Sequence, residues 1–343
     1  MSISPLNTVK KALRRFAPSV IPYTKRIIKI SYYLRDIKTS WKYMNWPATT
    51  ADYGKLSSEL IFQYHKLEKG LCMPGPKRFF GEQPAIATIT LINRWNENGF
   101  KTANPIYFGA IETLRAYGDF IANTPLPSTS DQSLKEKIET ILAANLESPN
   151  QFKTPIPISK PNNLLWEEFS TLMVMRRSVR NYLPKKVKTE TIEECINIAN
   201  LSPSVCNRQT CKVRIYEDPD QITKLLTFQN GNRGFGHLLS TLLIITSDTR
   251  YFFDGSERNQ PFIDGGLLSM SLILALQSKG ISSCCLNWCV SPTADNQAHI
   301  VGGIPDHERI IMYLAIGYPA EGAVVPKSER RAQNEIAIQY TNM

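Results

Sequence analysis

The run Leu238–Thr246 limits the possible folds of this chain more than any other segment. It reads Leu-Leu-Ser-Thr-Leu-Leu-Ile-Ile-Thr and is almost continuously apolar. Such a run is typical of a β-strand that is buried on both faces. The neighbouring sequence predicts strands at 212–217, 281–287 and 310–316, and helices at 166–175, 189–200, 220–228 and 262–279. This mixed order of elements predicts an α+β fold in which helices pack on a sheet.

The first half of the chain is predicted to be mainly helical. Apolar residues at helical spacing, including Leu60, Ile61, Tyr64 and Leu67, predict a helix over 57–67. Further helical patterns cover 84–98, 105–122 and 133–146. The stretch 148–161 contains prolines at positions 149, 155, 157 and 161, a density that disfavours helix and sheet alike. We therefore divide the chain into a helical extension (1–150), a proline-rich linker (151–164) and a C-terminal domain (165–343).

The net charge of +10 is concentrated near the N-terminus. Ten lysines and arginines lie in the first 48 residues, against a single acid, Asp36, and aromatic residues interleave with them. Interfacial helices at membranes have this pattern, as do some grooves that bind single-stranded nucleic acid. A helix packed on its own domain with a basic outer face is a further alternative. We expect residues 10–46 to be able to contact a membrane surface or an anionic polymer, and nucleic acid is the least favoured partner.

Cysteine and histidine usage indicates a protein of a reducing compartment without a metal site. The seven cysteines form no CxxC pair, and the four histidines show no spacing typical of metal ligands. No run approaches the ~20 apolar residues of a spanning helix, and the first 25 residues lack the pattern of a secretory signal. We expect a cytoplasmic protein, with peripheral contact at the inner membrane face as an option.

A basic segment, Arg176-Arg177-Ser178-Val179-Arg180, lies where a helical pattern gives way to an extended one. The planar guanidinium fork of arginine matches phosphate oxygens, so this segment predicts an anion site. A solvated helix end is the alternative interpretation. The polar run Ser202–Gln209 and a second basic cluster at 326–331 favour the anion site.

The order of these motifs over residues 165–335 resembles the nitroreductase family, flavoenzymes that hold FMN at a homodimer interface. Further motifs that carry the resemblance are Gly231-Asn232-Arg233-Gly234, Gly265-Gly266, Gly280–Trp288, Gly317-Tyr318-Pro319 and Pro326-Lys327-Ser328. The resemblance implies a central mixed or antiparallel sheet flanked by helices. It also implies a homodimer formed through the helix at 262–279, where Gly265, Gly266, Ser269 and Ser271 would permit close approach.

The resemblance implies FMN-dependent transfer of hydride from NADH or NADPH to a small or saccharide-linked acceptor. The segment His65–Pro74 is similar to one in long nitroreductase-like proteins encoded among bacterial polysaccharide-assembly genes. There, His65, Glu68 and Lys69 could line a substrate pocket over the flavin, or simply end a helix. The alternative function is a binding or scaffold protein that keeps the fold, has reduced catalytic activity and acts at a membrane surface or anionic polymer.

The same resemblance implies a set of cofactor-binding residues. They are Arg176, Arg177, Ser178, Arg180, Ser202, Pro203, Ser204, Asn207, Asn230, Asn232, Cys285, Leu286, Asn287, Lys327 and Arg330. The choice between Asn230 and Asn232 stays open, and Glu329 precedes Arg330 where the family commonly has arginine directly after Lys-Ser. No residue is assigned a catalytic role because the chemistry centres on the flavin. Asn287 and Trp288 are expected near the ring, with core packing as the alternative for Trp288.

Overall fold

The computed structural model describes residues 21–44, 52–74, 78–124, 130–145, 154–157, 164–328 and 330–339. Its helices are α1 (Ile21–Tyr43), α2 (Tyr53–Leu71), α3 (Glu82–Glu97), α4 (Pro105–Ala122), α5 (Ser130–Ala143), α6 (Leu164–Met175), α7 (Thr189–Ala199), α8 (Pro219–Leu226), α9 (Gln260–Ser278), α10 (Pro292–Gly302) and α11 (Gln333–Ile336). Its strands are β1 (Cys211–Tyr216), β2 (Thr241–Asp248), β3 (Ser282–Asn287) and β4 (Glu308–Gly317). Of the predicted linker (151–164), the described ranges include residues 154–157 and Leu164, which is the first residue of α6.

Helices α2 to α5 form a helical region with its own hydrophobic core. Leu60 of α2, Ile92 and Trp95 of α3, and Leu114 of α4 are fully buried in one cluster. Helix α2 begins where the Asp52 carboxylate accepts a hydrogen bond from the Lys55 amide at 3.0 Å, as a side-chain cap does. The predicted helix at 57–67 therefore exists and is longer by a turn at each end. The helical character predicted for this half of the chain is confirmed.

The sheet has the order β1-β2-β4-β3, and every strand pair is antiparallel. Every residue of β2 is buried, which agrees with the doubly buried strand predicted there. The strand begins at Thr241 and not at Leu238, because the chain first makes a helical turn over Gly236–Leu238. Strand β3 lies at one edge of the sheet. The expected α+β architecture is confirmed.

Alternate residues of the central strands point into two separate cores. Leu242 and Ile244 of β2 pack on one face with Ile222 of α8. Leu243 and Ile245 pack on the other face with Leu272 of α9. This period-two alternation with apolar residues on both sides explains why β2 reads as a continuous apolar run.

Helix α9 lies along the second of these faces. Within the described ranges it is the one helix that is long and apolar enough to cross a membrane by length and composition alone. Eight of its residues are buried, among them Leu268, Leu272 and Leu276. It therefore has the packing of a core helix, although the sequence showed no uninterrupted apolar run of spanning length.

Two of the small residues expected to face a second copy of the chain instead face the sheet. Gly265 and Ser269 are buried, and a Cβ atom at Gly265 would lie 2.7 Å from Ile311 Cγ1. Gly266 is exposed, with no described atom within 4 Å of an added Cβ. The prediction that Gly265 and Ser269 allow close approach of a twofold mate is therefore wrong, since this helix needs them to approach β4.

The two adjacent glycines provide a matched test of this packing. Gly265→Ala should lower the free energy of unfolding by about 1–3 kcal/mol, because the added methyl group overpacks the core. Gly266→Ala should raise it by roughly 0.5–1 kcal/mol, because alanine favours helix and nothing obstructs it. Chemical denaturation of both variants measures the difference. Equal effects at the two positions would contradict the packing of α9 on β4.

Helix α1 packs on the C-terminal part of the chain and not on the helical region that follows it. Arg35 forms an ion pair with Asp295 of α10, and Asp36 forms one with Arg309 of β4. Of its outward-facing side chains, Tyr33 is 69% and Trp41 is 88% exposed. The outer face is thus apolar and aromatic as well as basic. Residues 10–20, 45 and 46 of the predicted surface-binding stretch lie outside the described ranges, and the division of the chain at residue 150 stays a prediction.

Candidate functional site

The basic segment Arg176–Arg180 lies against the edge strand β3. Helix α6 ends at Met175, and the chain then runs extended, so that Ser178 forms a parallel bridge with Ser283. The Val179 amide donates to the Ser283 carbonyl at 3.1 Å. The structure thereby brings together two motifs that are about a hundred residues apart in the sequence.

Charged groups of the basic segment act on the cysteines of β3. The surrounding protein partly desolvates the Cys285 thiol and raises its pKa, while the positive charge of Arg176 acts in the opposite direction. Burial also raises the pKa of the Cys284 thiol, opposed by the charge of Arg180 and a hydrogen bond from Ser178. Together with the bridge between Ser178 and Ser283, this places Arg176 and Arg180 beside the first half and the middle of β3, where Cys285 itself is exposed.

The arginines of the basic segment have no carboxylate partner among the described residues. The Arg177 guanidinium donates to the Arg176 carbonyl at 3.0 Å, and that of Arg180 to the Ser178 carbonyl at 3.3 Å. The Arg176 guanidinium forms no hydrogen bond or ion pair within the described ranges. By contrast, core arginines are paired, as in Arg208–Glu257, Arg214–Glu308 and Arg250–Asp248. Guanidinium groups without a carboxylate partner favour the binding of anions, and the anion site at this segment stays a prediction.

The outer edge of β3 is open beside this charge. One edge of the strand pairs with β4, and in the described ranges the other is bridged only at Ser283. Cys285 and Asn287 are exposed, whereas Leu286 is 2% exposed and packs in the core. Leu286 can therefore offer a ligand only its main chain. An open strand edge presents backbone donors and acceptors to whatever lies against it.

Gln229 supports the end of β3, and the sequence did not indicate this role. Its side chain is buried and donates to the Asn287 carbonyl at 3.0 Å. The Asn232 amide donates to the Leu226 carbonyl at 2.9 Å and also to the Gln229 carbonyl. Asn232 therefore braces its own loop, and Asn230 is the exposed member of the pair. A glutamine directly after a predicted helix looks like an ordinary polar loop residue, so only the fold reveals its contact.

Trp288 packs in the core. Its ring stacks on that of Tyr313 with centroids 4.4 Å apart, and its Nε1–H donates to the Asp295 carboxylate. The same carboxylate pairs with Arg35 of α1. Core packing, which the sequence left as the alternative, is what the structure shows for this residue.

Hydrogen bonds hold the loop Ser202–Gln209 against the first half and the middle of α9. Ser202 Oγ donates to Ser271 Oγ at 2.7 Å, and the Val205 amide lies 3.3 Å from both carboxylate oxygens of Asp264. The buried Arg208 pairs with Glu257. Asp264 and Arg208 were not among the predicted site residues, although they fix the loop that contains four of them.

Three residues of this loop have left-handed backbone conformations. The φ angles are 49° at Cys206, 55° at Asn207 and 52° at Gln209, a region that non-glycine residues seldom adopt. The Ser204 hydroxyl accepts a hydrogen bond from the Gln209 amide at 2.9 Å. In the described ranges, the hydrogen bonds of Ser202, Ser204 and Asn207 do not reach the basic segment of the same chain. Pro203 is exposed.

The C-terminal basic residues lie on an exposed tail. The tail begins beside the basic segment, where the Ala320 amide donates to the Asn181 carbonyl at 3.0 Å. Lys327 and Arg330 are exposed, and Arg330 donates to the Ser328 carbonyl at 2.8 Å. Their expected contact with a phosphate stays a prediction, and Glu329 lies outside the described ranges.

A second cluster of titratable groups lies across β1, β2 and β4. One ligand atom each from Asp248, His307 and Glu308 lies within 4.8 Å of the others. Lys212 Nζ already lies 3.1 Å from Asp248 and 2.8 Å from Glu308, and Arg214 binds Glu308 at 2.8 Å. Side-chain cations neutralise these carboxylates, so the cluster holds the sheet together.

Residues 173–232, which contain the basic segment and the loop Ser202–Gln209, match the model of the nitroreductase family. The matched stretch, 60 of the 343 residues, is similar to the nitroreductase family. It begins within α6, the helix that precedes the basic segment.

Curated proteins similar to this chain include iodotyrosine deiodinases. Iodotyrosine deiodinase 1 of Rattus norvegicus is 24% identical over 238 residues, which cover 60% of this chain and 78% of that protein. A protein of Archaeoglobus fulgidus named provisionally as an NADH dehydrogenase/NAD(P)H nitroreductase is 24% identical over 163 residues, 45% of this chain and 87% of its own length. The crystal structure of a nitroreductase family protein from Streptococcus pneumoniae is 20% identical with a TM-score of 0.44, and covers 50% of this chain and 100% of that one.

Proposed function

We propose that this protein is an FMN-dependent oxidoreductase that takes hydride from NADH or NADPH and passes it to a small organic acceptor. The observation that carries the proposal is the group of unneutralised arginines, Arg176, Arg177 and Arg180, beside the open edge of β3. A protein that binds FMN needs cations for the phosphate and pyrimidine oxygens and backbone groups along the ring. A saccharide-linked acceptor, which the resemblance of His65–Pro74 suggests, remains one option.

The residues present fit the chemistry of FMN. Arg176, Arg177 and Arg180 would hold its anionic and carbonyl oxygens, and the resemblance expects Lys327 and Arg330 at the phosphate. The main chain of Cys285 and Leu286 would lie along the ring, and Gln229 fixes the end of that strand through the Asn287 carbonyl. When bound, FMN supplies a group that accepts and donates hydride. The protein contributes position and a cation that favours negative charge near the pyrimidine.

The proposed assembly is a homodimer formed in part through α9. Phe262, Ile263, Leu267 and Met270 are exposed on this apolar helix, at spacings that place them on one face. An exposed apolar face of this kind marks an interaction surface. The resemblance expects the loop Ser202–Gln209 to reach the cofactor of the partner subunit, and this would explain why its hydrogen bonds within one chain avoid the basic segment.

The flavin content and reactivity of the purified protein test this proposal. We expect a yellow protein with the absorbance of oxidised flavin, which NADH or NADPH bleaches under anaerobic conditions. Nitroaromatics, quinones and, in view of the relatives named iodotyrosine deiodinase, halogenated phenols should then restore the colour. A colourless protein that cannot be reconstituted with FMN would contradict the proposal. If the protein contains flavin that neither NADH nor NADPH bleaches, the proposed hydride transfer from the nicotinamide nucleotide is contradicted, whereas the proposed binding of FMN is not.

A second proposed function, favoured by the exposed face of α1, is binding at an anionic membrane surface. Tyr33, Leu34, Ile37 and Trp41 are exposed along this helix beside the exposed Lys38. In that case the protein would bind peripherally to the cytoplasmic face of the membrane, whether or not it is catalytically active. Sedimentation with vesicles of phosphatidylglycerol should then exceed that with phosphatidylcholine and fall with added salt. Equal sedimentation with both lipids would contradict it.

A further inference from the structure

A cavity of about 780 Å³ lies between the helical region and the loop Ser202–Gln209. Helices α2 and α4 form one wall, and Asn207 and Gln209 of the loop form part of the other. Tyr64, Met73, Pro105, Pro155 and Ile156 give the cavity an apolar lining. A concave, mostly apolar space with a few polar groups is the usual form of a small-molecule site.

One polar group of the lining is buried without a partner. Thr113 is 0% exposed, and its Oγ1 has no hydrogen-bond partner. Threonines in helices commonly donate to the carbonyl four residues earlier, as Thr88 does to Pro84 at 2.7 Å and Thr140 does to Glu136 at 2.8 Å. A buried hydroxyl without such a bond is unfavourable. Thr113 therefore places an unsatisfied polar group directly behind the apolar wall of the cavity.

The charges of the cavity favour an anion. Glu68 is the acidic member of the described lining, and its carboxylate already pairs with His65 Nδ1 at 2.8 Å. Lys69 is exposed at the same wall and has no ion-pair partner among the described residues. The carboxylate of Glu68 is already paired with His65, and the ammonium group of Lys69 is not paired with a described acid. The cavity can therefore accept an anionic group of a ligand.

We infer that this cavity binds a small organic carboxylate with an apolar body, and that such a carboxylate is the acceptor class of the proposed oxidoreductase when its body carries a group that hydride reduces, such as a nitro group or a quinone carbonyl. The ammonium group of Lys69 binds the carboxylate, and the apolar wall holds the body. The reducible group accepts the hydride that the nicotinamide nucleotide supplies, and the carboxylate itself is unchanged. The identification of this carboxylate as the hydride acceptor rests on the proposed function. The loop Ser202–Gln209 connects the two, because it forms a wall of the cavity and is also the element expected beside the flavin.

A pair of nitroaromatic probes that differ in charge tests the inference. We expect the full-length protein to bind 4-nitrobenzoate at least about tenfold more tightly than the neutral 4-nitrobenzamide, as for one charged hydrogen bond. Lys69→Gln should abolish this preference. Lys137→Gln, which removes an exposed lysine outside the cavity, should keep it. Isothermal titration calorimetry measures each dissociation constant without turnover.

Equal binding of the two probes by the unmodified protein, or a preference that survives Lys69→Gln, would overturn the inference. Turnover with each nicotinamide nucleotide separates this result from the proposed function. Carboxylate-selective binding without reduction of either probe would support the cavity as a binding site and overturn its role as an acceptor site. Reduction of both probes at equal kcat/KM without selective binding would support the oxidoreductase and overturn the cavity inference.

Discussion

Replacing Arg176 and Arg180 together by glutamine is expected to weaken FMN binding by about a hundredfold or more. Each guanidinium lies beside β3 without a carboxylate partner in the described ranges, so both can bind anionic oxygens of a ligand. A hydrogen bond to a charged group contributes about 1.5–3 kcal/mol, and two such losses reach this magnitude. Fluorescence titration of the flavin-free protein with FMN measures the affinity.

The matched control for this double variant removes the same charge nearby. Lys185→Gln with Lys186→Gln takes away two exposed lysines that follow the basic segment. Lys185 Nζ lies 4.7 Å from the centre of the Tyr318 ring. We expect the control variant to lower the affinity for FMN by no more than a few-fold, because at the proposed FMN site it changes only the long-range electrostatic field. Equal losses in the two double variants would show that the arginines do not form a specific anion site.

Glu308→Gln is expected to lower the free energy of unfolding by about 1.5–3 kcal/mol, because it removes the charge of a buried carboxylate that accepts hydrogen bonds from two partly exposed cations. The Glu308 carboxylate is 1% exposed and binds Lys212, Arg214 and Thr246. Urea denaturation at neutral pH measures the change. The matched control, Glu194→Gln, removes an exposed partner of Lys279 and should change stability by less than about 1 kcal/mol. A small effect at Glu308 would contradict the proposed role of the cluster.

The same carboxylate predicts how stability depends on pH. Burial by itself would raise the pKa of Glu308, but hydrogen bonds from Lys212, Thr246 and Arg214 outweigh it and hold the pKa below its ordinary value of 4.5. A carboxyl group whose pKa is lower in the folded state stabilises the fold above its unfolded pKa. This stabilisation should therefore be present at pH 5 and above and be lost progressively as the pH falls below 4.5. Glu308→Gln should show a shallower decline over that range.

Much of the local structure could be predicted from periodicity. The bounds of the helix predicted at 105–122 agree with α4 (Pro105–Ala122), because Asn104 caps it and Pro105 suits its first turn. The strand at 238–246 was placed three residues early, since the apolar pattern continues through the turn at Gly236–Leu238. Apolar spacing reports which face of a segment is buried, and it does not mark where the backbone changes direction.

Partners across the fold could not be predicted in the same way. Arg176 and Arg208 look alike in sequence, yet Arg208 is buried against Glu257 and Arg176 has no carboxylate partner in the described part of the chain. Gly265 and Gly266 are neighbours, and only the first lies against Ile311. Trp288 could have faced a ligand, but the register of β3 with β4 places it on Tyr313. Each outcome depends on contacts between residues distant in the chain.

The amino-acid sequence by itself determined the doubly buried central strand, the helices around it and the cluster of guanidinium groups that marks an anion site. These follow from local spacing and from the chemistry of single side chains. Only the tertiary structure decided that the basic segment lies along the open edge of β3, and that Lys69 and Thr113 line a cavity against the loop Ser202–Gln209. Such juxtapositions depend on sheet order and helix packing, where a displacement of one residue would exchange buried and exposed faces.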